Sequence, residues 1–392
     1  MPRPTFASSI HLYDQDSSSS NSSQPRTKYL IFFITGNPGL IEYYRPFLTH
    51  LYSLLSFSPS PSSSSSASKT DQKNVEFEIY GRSLRGFEID DGGTKKKSKT
   101  DENENEDAHV EKNPQPTLLG DFYGLRAQIT HISNSLREVA ARGKKEGDKP
   151  TKVILIGHSV GTYIALEVVR LARERREEGL RVVGGVMLFP TVVDLGRSSN
   201  GRFFKPLLSF PGIPLFLALL IRISTFLIPF FFFARCVTFF ADVPPPSALI
   251  TAALIKSKMG FCEVLYLARD ELSQMCEDKW DEGIWGAATP SPSTPPAPKL
   301  FFYFGKTDAW VADETRDALF ASRGRVRAGF GGVGGGKGEG KEKEKEGDEW
   351  KPVMMIDEIG APHDFVLRHS IPIAEKSAEF IREILEVDLG RK

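Results

Sequence analysis

The chain is short of cysteine, with only Cys236, Cys262 and Cys276 in 392 residues. Three thiols cannot form a complete disulfide set, and their spacings match no zinc or redox pattern. A stapled fold and a cysteine-held metal are therefore excluded, and reduced thiols on the cytosolic side of a membrane are expected. Net charge is missing as well. Fifty basic and fifty acidic side chains cancel, so no long-range field draws the protein to nucleic acid or to an anionic surface, and attachment to lipid has to be hydrophobic. The opening MPRPTFASSIHLYDQDSSSS lacks the basic segment and apolar stretch of a secretory signal. No phosphate loop, metal-ligand cluster or basic aromatic strip stands out, and the glycine run Gly329 to Gly340 follows no strand and is not a nucleotide site. Neither a cofactor nor a metal is expected.

What the chain does have is apolar residues, 40% of the total, ample for a large core. Five polar stretches interrupt them: Ser17 to Gln24, Ser56 to Lys73, Gly92 to Pro116, Ala287 to Pro298 and Gly329 to Glu349. Such compositions bury too little apolar surface to offset ordering entropy, so these stretches and the N-terminus through residue 26 are read as disordered. Between them, short apolar runs alternate with helical patterns. Tyr29 to Ile34, Val75 to Tyr80, Lys152 to Ile156, Val182 to Phe189, Lys299 to Phe304 and Val353 to Ile356 read as strands covered on both faces. After Ser159, Val160, Ile164, Val168 and Leu171 keep a helical spacing, with Glu167, Arg170, Glu174 and Glu178 on the opposite face. The alternation predicts an α/β fold, a mostly parallel sheet with helices on both faces and chemistry at the carboxyl ends of the strands. The core is expected over 27–194 and 299–389.

The informative segment is KVILIGHSVGTYIALEVVRLA, where Gly157, Ser159 and Gly161 make G-x-S-x-G between a strand and a helix. A nucleophile elbow needs that context: a tight turn lifts the serine hydroxyl off the sheet, and glycines allow close approach of the neighbouring elements. A serine hydroxyl at neutral pH needs a base, and the base needs an orienting acid. His363 lies after the last strand and before a helix beginning near Ile373, which fits the base, with His369 in reserve. His11, His50, His109 and His131 fit polar flanks or helices, and His158 fills the variable position of the elbow. Asp308 follows a strand and gives the order serine, aspartate, histidine; Asp194, after the preceding strand, is its rival. For the oxyanion, Val160 offers the N–H after the nucleophile, and Gly36 or Asn37 in ITGNPGLIEYY offers the second, since Pro38 has none.

Residues 195–286 form an insertion whose stretch Pro206 to Phe240 is unusually apolar. A spanning helix needs about 20 apolar residues in succession, but Arg222 splits the run and Pro211, Pro214 and Pro229 break or kink helices. Two short arms lying in one leaflet fit better, or a cap packed over the site, or both together.

With these residues in view, the chain resembles the lipid droplet-associated hydrolase family. The resemblance rests on ITGNPGLIEYYRPFLTHLY, LIGHSVGTYIALEV, LFPTVVDLGRSSNGR with the apolar stretch after it, and the pair FGKTDAWV and PHDFVLRHS. It implies an α/β-hydrolase on lipid droplets and the cytosolic face of the endoplasmic reticulum, active in neutral lipid storage, with sterol esters among the candidate substrates. It also places Ser159, Asp308 and His363 on the family's triad positions. Two other readings stay open: a droplet scaffold in which the insertion is the functional part, and an acyltransferase or thioesterase using the same elbow. The long polar insertions, above all the one between Asp308 and His363, depart from the family pattern.

Overall fold

The computed structural model describes residues 4–14, 26–56, 75–89, 115–117, 120–145, 147–210, 212–287, 296–326 and 351–390. Eight strands form the main sheet: β1 (Ser9–Leu12), β2 (Thr27–Ile34), β3 (Val75–Arg82), β6 (Thr151–His158), β7 (Leu180–Leu188), β8 (Lys299–Phe304), β9 (Arg325–Val326) and β10 (Val353–Ile356). Their order is β1-β3-β2-β6-β7-β8-β10-β9. All neighbours run parallel except β1, which is antiparallel to β3. A hairpin of β4 (Gln115–Thr117) and β5 (Gly120–Phe122) stands apart.

The six expected strands are all present, each extended by at most a few residues. Both sheet faces are covered, as the continuous apolar runs require. On β8 the alternation is explicit: Phe301 and Tyr303 meet Phe380 on one side, while Phe302 meets Trp285 and Phe304 meets Phe320 on the other. Helix α1 (Arg45–Ser56) packs against α10 (Ser370–Asp388), and α2 (Leu125–Ala141) packs against α3 (Val160–Glu174). Helix α9 (Asp313–Arg323) lies between β8 and β9.

Three expectations need correction. The N-terminus is ordered over residues 4–14, and Ser9–Leu12 completes the sheet edge with Ile10 buried. Four residues with one buried apolar position are too short to register in a periodicity reading. Residues Gln115 and Pro116, expected in a disordered stretch, begin the small hairpin; the other polar stretches lie mostly outside the described residues. Glu167, placed on the outer face of α3, is buried. Its carboxylate accepts Trp280 Nε1 at 2.7 Å, pairs with Arg170 at 2.8 Å and lies 3.2 Å from Lys279, so the tail of the insertion covers this helix.

The insertion between β7 and β8 holds α4 (Ser199–Ser209), α5 (Ile213–Phe226), α6 (Phe230–Phe240), α7 (Pro245–Lys256) and α8 (Gly260–Gln274). Among the described residues no single helix is long and apolar enough to cross a membrane, and α4 and α5 meet at a 97° bend. The two short arms are α5 and α6. Pro214 sits in the first turn of α5 and Pro229 at the N-cap of α6, so prolines start these helices, while Pro211 lies outside the described residues. Arg222 does not break α5; its guanidinium donates to the Lys258 carbonyl at 3.1 Å.

Candidate active site

Ser159 occupies the turn between β6 and α3 with φ 54° and ψ −125°, a conformation that a side-chain-bearing residue adopts only when its surroundings enforce it. The flanking glycines show what enforces it. A Cβ on Gly157 would stand 2.6 Å from the Gly161 carbonyl oxygen, and one on Gly161 would stand 2.5 Å from the Ile34 oxygen. Both obstacles are backbone and cannot swing away, so the two glycines let β6, α3 and β2 close around the serine. The Ser159 N–H donates to the Leu188 carbonyl at 3.1 Å, tying the elbow to β7.

His363 lies on the loop after β10 and reaches Ser159 Oγ through Nε2 at 2.9 Å; its Nδ1 lies 2.7 Å from Asp308 Oδ2. A carboxylate only accepts, so Nδ1 carries the proton and Nε2 presents a lone pair to the hydroxyl. The other carboxylate oxygen, Asp308 Oδ1, accepts the Trp310 N–H at 2.8 Å. The carboxylate is 3% exposed and the imidazole 15%, so this alignment sits in a region of low dielectric where it is worth more than in water. Asp357, at the start of the loop, accepts Tyr303 Oη at 2.6 Å and the Ala361 N–H at 2.6 Å, which shapes the chain leading to His363.

The other candidates lie elsewhere. Asp194 adopts a left-handed backbone (φ 50°), is half-buried and comes no closer than 4.0 Å to Arg197. His369 stands at the N-cap of α10. On the loop after β2, the Gly36 N–H donates to Tyr44 Oη at 2.9 Å; that bond takes it out of contention for an oxyanion and leaves Asn37. The Asn37–Pro38 peptide is cis. The Asn37 amide donates to the Val264 carbonyl and to Glu271 Oε1, both at 3.0 Å, so α8 of the insertion holds this loop. Burial pushes the Glu271 carboxyl up to about 8, neutral at pH 7.

Sequence reasoning missed Tyr44 and gave His158 no role. Tyr44 follows Gly36 by eight residues in the loop already singled out, but spacing carries no sign that its hydroxyl folds back. The insertion also touches both outer arms of the site. Asn200 donates to the Ala309 carbonyl at 2.9 Å, Phe204 stacks on Trp310, and Asp242 beyond α6 pairs with Arg368 at 2.6 Å, five residues after His363.

A parallel sheet with one antiparallel edge strand, a serine elbow at its centre, and an aspartate and a histidine following the next strands in that order define an α/β-hydrolase. A family model described as lipid-droplet associated hydrolase matches residues 27–366, and the chain belongs to that family. It is 31% identical over 294 residues to the lipid droplet-associated hydrolase of Rattus norvegicus, covering 73% of this chain and 71% of the relative. The Mus musculus protein of the same name is 29% identical, with 73% and 72% covered. Among solved structures, a haloalkane dehalogenase variant from Bradyrhizobium elkanii is similar with a TM-score of 0.48 at 12% identity, covering 95% of this chain and 93% of that one.

Proposed function

We propose that the chain is a serine hydrolase of lipid carboxylic esters, sterol esters among them, working at the surface of a lipid droplet or on the cytosolic face of the endoplasmic reticulum. The observation that carries this reading is the unbroken contact series Ser159 Oγ to His363 to Asp308, 2.9 and 2.7 Å per step. His363 Nε2 takes the Ser159 proton as Oγ attacks the ester carbonyl, while Asp308 holds the ring and stabilises the imidazolium. The N–H groups of Val160 and Asn37 receive the negative charge on the carbonyl oxygen; one such donor is worth about 3 kcal/mol of barrier. His363 then passes its proton to the departing alcohol, leaving an acyl-enzyme. Water attacks in turn, giving its proton to His363, and fatty acid leaves as the proton returns to Ser159.

The insertion supports the surface. Eleven of the fifteen exposed large hydrophobic side chains among the described residues lie between Phe203 and Phe240. Each phenylalanine moved from water into oil gains roughly 1.5–3 kcal/mol, whereas a formal charge of zero offers no electrostatic hold. A droplet has one phospholipid layer over oil, and two short arms entering from one side meet that geometry.

The test is labelling of purified protein by a fluorophosphonate, with Ser159→Ala as the control. Labelling of the wild type and none of the variant is expected. A folded wild type that takes no label overturns catalysis by this route and favours the scaffold reading, in which deleting residues 206–240 abolishes the biological effect and Ser159→Ala does not.

A further inference from the structure

His158 precedes Ser159 in the elbow and is 5% exposed. Both of its ring nitrogens are engaged: Nδ1 lies 2.7 Å from Tyr44 Oη and Nε2 lies 2.9 Å from the main-chain oxygen of His363. The two ends of this series have fixed polarity. A carbonyl oxygen only accepts, so Nε2 carries a proton; the Gly36 N–H only donates, at 2.9 Å, so Tyr44 Oη accepts there and turns its own hydrogen to Nδ1. The direction is therefore set throughout, from Gly36 N–H through the Tyr44 hydroxyl and the His158 ring to the His363 carbonyl. Three separate pieces of chain are joined by it: the loop that carries Asn37, the elbow that carries Ser159 and the loop that carries His363.

We propose that His158 is a positioning residue for the reaction, a neutral imidazole that sets the His363 main chain and, through Tyr44, the loop of Asn37 relative to the serine beside it. The proposal rests on the reading of Ser159, His363 and Asp308 given above. Neutrality is part of the role. The His158 ring centroid is 5.3 Å from that of His363, and a cation there would oppose the imidazolium that His363 must become. Burial, and then the proximity of His363, push His158 down to about 3, so it stays uncharged while His363 turns over. The titratable groups that face it are Tyr44, which burial pushes well above the usual phenol range, and His363 itself. Phe365 and Phe189 close the remaining sides, with ring centroids 5.0 and 6.2 Å away.

A packing role and a positioning role rank substitutions differently. Phenylalanine restores the aromatic contacts and neither hydrogen bond. Glutamine carries its amide N–H to the place of Nε2 and keeps the bond to His363, whereas asparagine is too short and reaches only the place of Nδ1. His158→Phe, His158→Gln and His158→Asn are compared by the rate of fluorophosphonate labelling per folded molecule and by kcat and KM on p-nitrophenyl butyrate, a soluble ester that needs no lipid surface. Misplacing reacting groups by an ångström costs on the order of 10²-fold, so a roughly 10- to 100-fold loss of kcat with KM little changed is expected for His158→Phe and His158→Asn, and a substantial recovery for His158→Gln. Wild-type kcat in His158→Asn, or Asn and Gln equally slow, overturns the proposal, and that pair decides it even if the phenylalanine variant does not fold. Ser159→Ala separates the two levels of inference. Labelling that survives in it refutes the serine reading; labelling lost there with the expected ranking absent refutes only the role of His158.

Discussion

Two segments of this chain are almost equally greasy and do opposite things. In YLIFFI of β2 every residue from Tyr29 to Ile34 is at most 1% exposed, and Phe33 lies against Tyr44 and Phe47 at ring-centroid distances of 4.6 and 5.7 Å. In FFFFARCVTFF of α6, Phe230 and Ala234 are buried while Phe239 and Phe240 are each 81% exposed. Hydropathy does not distinguish them. The difference lies in what covers them: β2 has a strand on each side and helices over the sheet, whereas α6 rests one face on α7, with Phe6 and Ile89 at the edge of that small cluster, and leaves Phe239 and Phe240 to water. A cluster of apolar side chains facing water is a surface for something apolar.

The comparison breaks most sharply at Phe33. Phe33→Ala is expected to cost about 3–5 kcal/mol, the range for emptying a packed aromatic site, read as a fall in the urea midpoint. Phe239→Ala in buffer should stay within roughly 0.5 kcal/mol of wild type, as surface changes do. Equal losses from the two would mean that α6 packs against protein in solution. With triolein emulsions coated in phosphatidylcholine the ranking should invert. Phe239→Ser combined with Phe240→Ser removes two side chains worth roughly 1.5 kcal/mol or more apiece in oil, so the bound fraction should drop about 100-fold while the folded midpoint holds. Unchanged flotation would remove α6 from the lipid contact.

A smaller effect probes the rigid side. Gly161→Ala places a methyl against the Ile34 and Thr35 carbonyl oxygens, 2.5 and 2.7 Å away. Overpacking of this kind costs about 1–3 kcal/mol, and because the displaced backbone joins β2 to the Asn37 loop, labelling of Ser159 should slow together with the fall in midpoint. A variant with wild-type midpoint and labelling rate would show that the turn is less tightly held than its contacts indicate.

How much of this was visible beforehand follows from the length scale of each signal. The six principal strands and the elbow announce themselves within a few residues, because continuous apolar runs bounded by glycine, asparagine or aspartate are local. Asp308 and His363 are legible by chain order alone, but the contacts of His363 with Asp308 and with Ser159 span separations of 55 and 204 residues that no local pattern encodes. The edge strand at Ser9–Leu12 escaped because four residues alternate too briefly. Glu167 was misread because its partners, Lys279 and Trp280, arrive from the far end of the insertion. Tyr44 and His158 were invisible as a pair for the same reason, since direction along a hydrogen-bond series exists only once the fold has assembled it.

The one expected gain in stability lies where the two regions meet, at Glu271 on α8. Its carboxyl accepts the Asn37 amide at 3.0 Å and is raised by burial, with Asp270 adding to the shift, to about 8. In the unfolded chain an ordinary glutamate titrates near 4.5. Between those two values the folded protein holds a proton that the unfolded chain has released, so stability falls as pH rises from about 4.5 to about 8 and the contribution levels off above. Glu263, likewise raised to about 8 by burial, adds a slope of the same sign. Glutamine keeps the carbonyl that Asn37 uses and cannot ionise. Glu271→Gln should therefore match wild type near pH 4, gain on it steadily through neutrality and exceed it by roughly 2 °C or more in melting temperature at pH 9, with the slope from Glu263 remaining. Melting curves recorded at pH 4, 7 and 9 decide it: a constant offset between the two proteins would mean that Glu271 is already ionised when folded, and that α8 holds the Asn37 loop as a carboxylate rather than as an acid.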